Sequence, residues 1–190
     1  MKAFLMAAIL VGTEWAAGAQ PAIRKVTVCL EAGWGPIGQA RVIASEIFAG
    51  IDIKLEWHGW NVCPAEGLRI SLSDRTAEAV RPGALAYAMP YEGTHIVVFQ
   101  DRVEAVAGKD KVAALLAHVM VHEITHILQG LCRHSATGLM KAHWDVAEMN
   151  RMSCSRLQFT ADDIELIYVG MARRGELRRS LSETERAELR

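Results

Sequence analysis

The tightest constraint on this 190-residue chain is the hexapeptide Val121-His122-Glu123-Ile124-Thr125-His126, set near the end of a long apolar stretch. Side chains four residues apart on an α-helix share a face, about 5–6 Å apart, so the imidazoles of His122 and His126 can converge on one ion. Two nitrogen ligands suit zinc. Glu123 is turned around the helix from that pair, placed to take a proton from water beside the metal rather than to ligate it. A chance match would leave both histidines hydrogen-bonded in a core and Glu123 merely exposed. The helix around them and the turn after them favour the metal.

The helix that carries this motif runs from about Asp110 to Gln129 and is apolar nearly all round from Val112 to Val121, which predicts burial. Gly130 is its expected stop. A zinc hydrolase needs three protein ligands and an open position, so a third ligand is required. His134, eight residues past His126 and beyond the turn at Gly130, is the choice, with Cys132 as a rival. His118 lies on the same face but roughly 12 Å along the axis from His126, too far to share an ion, and reads as a core histidine. His143, Asp145 and Glu148 are read as capping and solvation of a helix after Trp144. His58 and His95 have no identifiable partner and read as structural.

Ahead of the metal helix the chain reads as a sheet. Ile23 to Glu31 alternates as a strand, Ile37 to Ala49 has helical spacing with Gly50 as its cap, and Ile51 to Trp57 alternates again, which predicts a parallel crossover unit. Leu68 to Leu72 is a further strand. Gly83 to Met89, fenced by Pro82 and Pro90, suits an edge strand, and His95 to Gln100 a strand covered on both faces. Past the metal helix, Thr160-Ala161-Asp162-Asp163 has the capping-box pattern and opens a helix with Ile164, Ile167, Tyr168 and Met171 on one face. Ser182 and Glu185 offer another cap within a charged tail.

Just over half of the residues are hydrophobic, enough for one compact domain, and the net charge of −1 gives no reason to expect nucleic acid or an acidic membrane as partner. Lys2, the apolar run Ala3 to Gly12 and Ala17-Gly18-Ala19 form the pattern of a secretory leader cleaved before Gln20. The expected organisation is therefore a signal peptide at 1–19, a domain at 20–175 and a charged tail at 176–190, with secretion or a periplasmic location and no membrane insertion after cleavage. Export lets cysteines oxidise. Four allow three pairings, and the expectation is sequence-local: Cys29 with Cys63, and Cys132 with Cys154.

These residues resemble the metzincin zinc peptidases, whose signature is His-Glu-x-x-His-x-x-Gly-x-x-His followed by a tight turn with a methionine beneath the metal. Here the glycine, Gly130, comes one place late, the third histidine, His134, two places late, and Cys132 stands where a metzincin has its third ligand. The chain is also similar to a group of short exported metallopeptidase-like proteins that combine His-Glu-x-x-His with a later His-Ser-x-x-Gly-[Ile/Leu]-Met, here His134-Ser135-Ala136-Thr137-Gly138-Leu139-Met140. That likeness extends to Cys63-Pro64, to Phe99-Gln100-Asp101-Arg102-Val103 and to Phe159-Thr160. It implies an α+β, metzincin-like fold: a mixed twisted sheet with an antiparallel edge strand above a buried active-site helix, a Met-containing turn and a C-terminal helix. It further implies His134 as third ligand and Met140 as the floor beneath the metal.

The functional expectation is an exported, monomeric zinc metalloendopeptidase with Glu123 as general base and a peptide or protein substrate lying extended along the edge strand. The alternatives are a catalytically silent, zinc-stabilised binding protein on the same scaffold, and a zinc hydrolase of a non-peptide bond.

Overall fold

The structure, a computed structural model, describes residues 23–31, 33, 35–77, 80–89 and 93–188, so the expected leader at 1–19 lies outside the described residues. Strand β1 (Arg24–Leu30), helix α1 (Ile37–Ala49) and strand β2 (Ile53–Gly59) form the expected crossover unit, with β1 and β2 parallel and Val28 opposite Trp57. Strand β3 (Leu68–Ser73) lies parallel to β1 on its other side, and β5 (His95–Phe99) lies parallel to β3. The short strand β4 (Ala86–Ala88) pairs antiparallel with β5 and closes the order β2-β1-β3-β5-β4 as an edge. Three parallel pairings and one antiparallel edge make a mixed sheet. The proline-fenced segment is thus where its composition put it, although only three of its residues, Ala86–Ala88, form the strand itself.

The inward residues of the strands, Val28, Ile53, Ile70, Ile96 and Val98, are buried against Ile43, Ala44 and Phe48 of α1 and against helix α3 (Val112–Gln129) in one continuous core. Of the 18 residues of α3, only Ala113 and Glu123 are not buried. Such a helix is long and apolar enough to cross a membrane by length and composition, but here it is enclosed by α1, α5, the edge strand and the sheet. Its polar side chains are satisfied locally: Thr125 Oγ1 donates to Val121 O at 2.7 Å, and His118 Nδ1–H to Ala114 O at 2.7 Å.

Helix α5 (Ala161–Glu188) packs across α3 and is one unbroken helix through Ser182 and the charged stretch. Its first turn is closed by a reciprocal box, Thr160 N–H to Asp163 Oδ2 at 3.0 Å and Asp163 N–H to Thr160 Oγ1 at 3.2 Å. Farther along, Tyr168 donates its hydroxyl to Ile51 O at 2.8 Å, and the Arg24 guanidinium lies 4.1 Å over the Tyr168 ring. The two contacts dock α5 on the β1–β2 end of the domain.

Two local differences have physical causes. Gly50 caps α1 through its N–H to Glu46 O but keeps a right-handed φ of −61°. The left-handed turn falls on Asp52 (φ 54°), which delays β2 to Ile53. Helix α2 (Gln100–Ala107) is not evident in the sequence because it buries only Val103 and so shows no apolar periodicity. Helix α4 (Val146–Arg151) is the expected helix after Trp144, and its capping box joins Asp145 and Glu148.

Candidate metal centre and cleft

Helix geometry brings His122 Nε2 to 3.0 Å from His126 Nε2 on the last two turns of α3. Each ring is oriented from behind. His122 Nδ1–H donates to Leu139 O at 3.1 Å and His126 Nδ1–H to Leu131 O at 2.9 Å, which fixes both tautomers. The proton of each neutral ring is spoken for, so two Nε2 lone pairs face one point, a donor set that a cation satisfies and that no described protein group fills. The rings are also held neutral. Burial, followed by the charge of His126, pushes His122 down to about 3, and burial lowers His126.

Past α3, Gly130 (φ 66°) reverses the chain and brings the exposed His134 back to the pair. Its ring centre is 4.9 Å from that of His126 and 5.3 Å from that of His122. One nitrogen from each of the three residues lies within 4.8 Å of the other two. Tetrahedral zinc with nitrogens at about 2.0–2.1 Å sets its ligands roughly 3.3 Å apart, so the trio fits a zinc ion once the exposed His134 ring closes toward the pair.

The loop that delivers His134 is braced. Ser135 N–H bonds Met140 O at 2.8 Å and Leu139 N–H bonds Gln158 O at 2.9 Å. Gly138 sits at φ 75°, and a Cβ there would lie 2.5 Å from Gln158 O, so only glycine fits this turn. The Leu139 carbonyl serves two groups, accepting from His122 Nδ1 and from Trp144 Nε1 at 3.2 Å. The indole edge also meets the His122 and His118 rings, at 5.5 and 6.5 Å between centres. Met140 is buried in this same turn.

Glu123, one residue beyond His122, faces the cleft between α3 and the edge strand. Burial pushes its carboxyl up to about 7, against the opposing pull of a hydrogen bond from the Ala88 N–H of β4. The cleft encloses about 670 Å³, with residues 80–88 along one side and Val119, Trp144 and Met149 among the apolar residues lining it. A metal-binding trio, a carboxyl that titrates near neutrality and an open sheet edge are therefore adjacent.

The remaining candidates separate cleanly. His118 is structural: its Nδ1 donates to Ala114 O and its Nε2 accepts from Leu157 N–H at 3.1 Å. Asp145 and Glu148 cap α4, as read, and His143 lines the cleft without joining the trio. Cys132 also lines the cleft but is outside the trio. Cys29 and Cys63 are disulfide-bonded, whereas the expected partner bond fails. Cys132 and Cys154 are both exposed free thiols, one on the loop after α3 facing the cleft and the other in the turn after α4, away from the cleft lining, so sequence proximity did not bring them together.

With this geometry in place, the fold can be set beside known structures. An archaemetzincin from Methanopyrus kandleri superposes with a TM-score of 0.58 at 14% identity, over 80% of this chain and 98% of the other. The fold is similar to that of this archaemetzincin. A zinc-dependent peptidase from Methanocorpusculum labreanum gives a TM-score of 0.54, again at 14% identity, over 74% of this chain and 99% of that one. At the sequence level, no family model and no curated protein matches the chain. On its own geometry the trio of histidines offers three imidazole nitrogens to one metal ion, a donor set that suits zinc.

Two groups around the site were not apparent from the sequence. Trp144 shares the Leu139 carbonyl with His122, a contact with no sequence signature. Asp163 was legible as a cap, but its link to the histidine loop was not, because Ser135 lies 28 residues away.

Proposed function

We propose that this protein is an exported zinc metalloendopeptidase, acting in an extracellular or periplasmic compartment on extended peptide segments. The observation that carries the reading is the convergence of His122, His126 and His134 within 4.8 Å, with Glu123 beside them on the same helix. Zinc held there would supply Lewis acidity, polarising a peptide carbonyl and acidifying water. Glu123 does the proton work. A carboxyl held at about 7 is matched to neutral pH, able to accept a proton from water and to return it to the departing amine.

The edge strand provides the binding track. Leu85 O and Met89 N–H are engaged with β5, so by antiparallel alternation the main-chain groups of Ala86 and the carbonyl of Ala88 turn outward, where an extended substrate can add as a strand, while the Ala88 N–H is held by Glu123. The Cys29–Cys63 disulfide suits an oxidising compartment and supports export.

The test is cleavage of a diverse peptide library by the mature, oxidised, zinc-loaded protein, with Glu123→Gln beside it and zinc content measured in both. Cleavage by the wild type alone, with zinc retained in the variant, is the expected result. Silence from both with zinc present would turn the reading toward a binding scaffold, and a variant as active as the wild type would remove Glu123 from its role.

A further inference from the structure

The cleft carries a charge that the proposed chemistry does not use. Among the described residues that line it, the Lys, Arg, Asp and Glu side chains are Arg81, Lys141 and Glu123. Lys141 is neutralised by both carboxylate oxygens of Glu148, at 2.7 and 2.8 Å. Glu123 is committed to proton transfer. Arg81 is left over, exposed, and its guanidinium has no hydrogen-bond or ion-pair partner among the described residues.

The backbone beneath it is fixed. Arg81 O accepts from Arg102 Nη1 at 2.8 Å and from Ala84 N–H at 3.2 Å, and the same Nη1 reaches Ala84 O at 2.8 Å. That turn leads directly into the edge strand, so the side chain projects from the start of the proposed substrate track. It also shares the cleft with the metal trio, His122, His126 and His134. A planar fork of donors on a fixed turn, beside walls of Leu85, Val119 and Trp144, is suited to pair with a carboxylate in a bidentate manner.

We propose that Arg81 is a specificity-determining residue that binds a carboxylate of the substrate, supplied by an Asp or Glu side chain or by a free C-terminus. This rests on the peptidase reading above. The pairing would be made at the mouth of the cleft, where the guanidinium keeps its hydration until substrate arrives, and it sets which peptides bind rather than how they are cut.

The test uses one neutral peptide scaffold, amidated, with Glu or Gln placed at each position in turn, plus the same neutral scaffold with free or amidated C-terminus. For the zinc-loaded wild type the readout is kcat/KM; for zinc-loaded Glu123→Gln it is Kd by fluorescence anisotropy, which needs no turnover. One carboxylate placement should be favoured over its amide by roughly 10- to 100-fold in both readouts. The ratio should fall to near one in Arg81→Gln and recover in part in Arg81→Lys; being a ratio, it is unmoved by a variant that merely folds less well. Glu/Gln pairs and terminal pairs identify the carboxylate's source. Cleavage of acid and amide peptides alike, or a preference that survives Arg81→Gln, overturns the inference and leaves the peptidase standing. An Arg81-dependent binding preference without cleavage supports the inference and removes the peptidase. Neither binding nor cleavage of any carboxylate peptide overturns it.

Discussion

Asp163 accepts a 2.5 Å hydrogen bond from Ser135 Oγ while its other oxygen caps α5 through Thr160 N–H. One buried carboxylate thereby ties the start of the C-terminal helix to the residue next to His134. Arg133 adds a partly exposed ion pair at 3.4 Å, and the Asp163 carbonyl accepts from Gln129 Nε2 at the end of α3. Three segments meet at this residue: the end of the metal helix, the ligand loop and the last helix.

Asp163→Ala should therefore act on two quantities at once. Loss of charged hydrogen bonds from a buried site costs on the order of 3 kcal/mol of folding stability. Because Ser135 is released beside His134, zinc affinity should also fall, by roughly 10- to 100-fold as for other groups that orient ligands. Urea unfolding and a competitive zinc titration measure the two separately. A variant that loses stability but binds zinc as tightly as the wild type would show that His134 needs no such brace.

Acid should weaken the zinc-free fold. Burial lowers His118, His122, His126 and His134 below their ordinary values, with His122 reaching about 3. The unfolded chain protonates these rings near 6.5, the folded chain only at lower pH, so the unfolded state binds more protons and stability is lost as pH falls through and below 6.5. Glu123 runs the other way, because its raised carboxyl takes up a proton in the folded state before it would when unfolded. Four rings outweigh one carboxyl. Unfolding of the zinc-free protein between pH 8 and 5 should show declining stability, and a steeper decline in Glu123→Gln. A flat profile in both proteins would contradict this account.

The site was more legible than its supports, for a physical reason. A ligand pair at i and i+4 is fixed by helix geometry, so His122, Glu123 and His126 could be read directly, and His134 followed from the stop at Gly130 and the demand for a third donor. The edge strand was legible because Pro82 and Pro90 bar a central position, and the crossover unit because its periodicity changes from 2 to 3.6 and back. Contacts made across the fold leave no such trace. Trp144 finds His122 only because both bond Leu139 O, and the Cys132–Cys154 expectation failed because closeness along the chain did not become closeness in space. Helix α2 escaped because one buried residue, Val103, makes no pattern.

The Cys29–Cys63 bond closes a sequence separation of 34 residues and joins the buried β1 residue Cys29 to the segment just after β2. A loop of that length restricts the unfolded chain by about 4 kcal/mol. The double replacement Cys29→Ala with Cys63→Ala should lower stability by up to that amount in urea unfolding, while Cys132→Ser and Cys154→Ser, both at exposed free thiols, should each change it by less than about 0.5 kcal/mol. Equal effects from all four positions would mean that the bond contributes no more than a surface thiol does.

Two glycines on α5 should respond to alanine with opposite signs. Gly170 packs against the end of α3: a Cβ there would overlap Leu128 O and lie 2.9 Å from Gln129 Cα. Those are backbone atoms of the turn that follows His126, and they cannot yield by a change of rotamer. Gly175, five residues on, has nothing within 4 Å of the same position and is exposed. Replacing either glycine gains about 1 kcal/mol of helix propensity. At Gly175 that gain stands alone, so Gly175→Ala should be stabilising by up to that amount. At Gly170 overpacking costs about 1–3 kcal/mol, with rigid backbone as the obstacle placing it at the upper end, so Gly170→Ala should be destabilising on balance. It should also weaken zinc binding, because the displaced turn carries Leu131, whose carbonyl orients His126. Thermal unfolding and zinc titration of the two variants side by side decide the matter: a stabilising Gly170→Ala with unchanged zinc affinity would mean that α5 does not press on the metal helix as closely as the geometry requires.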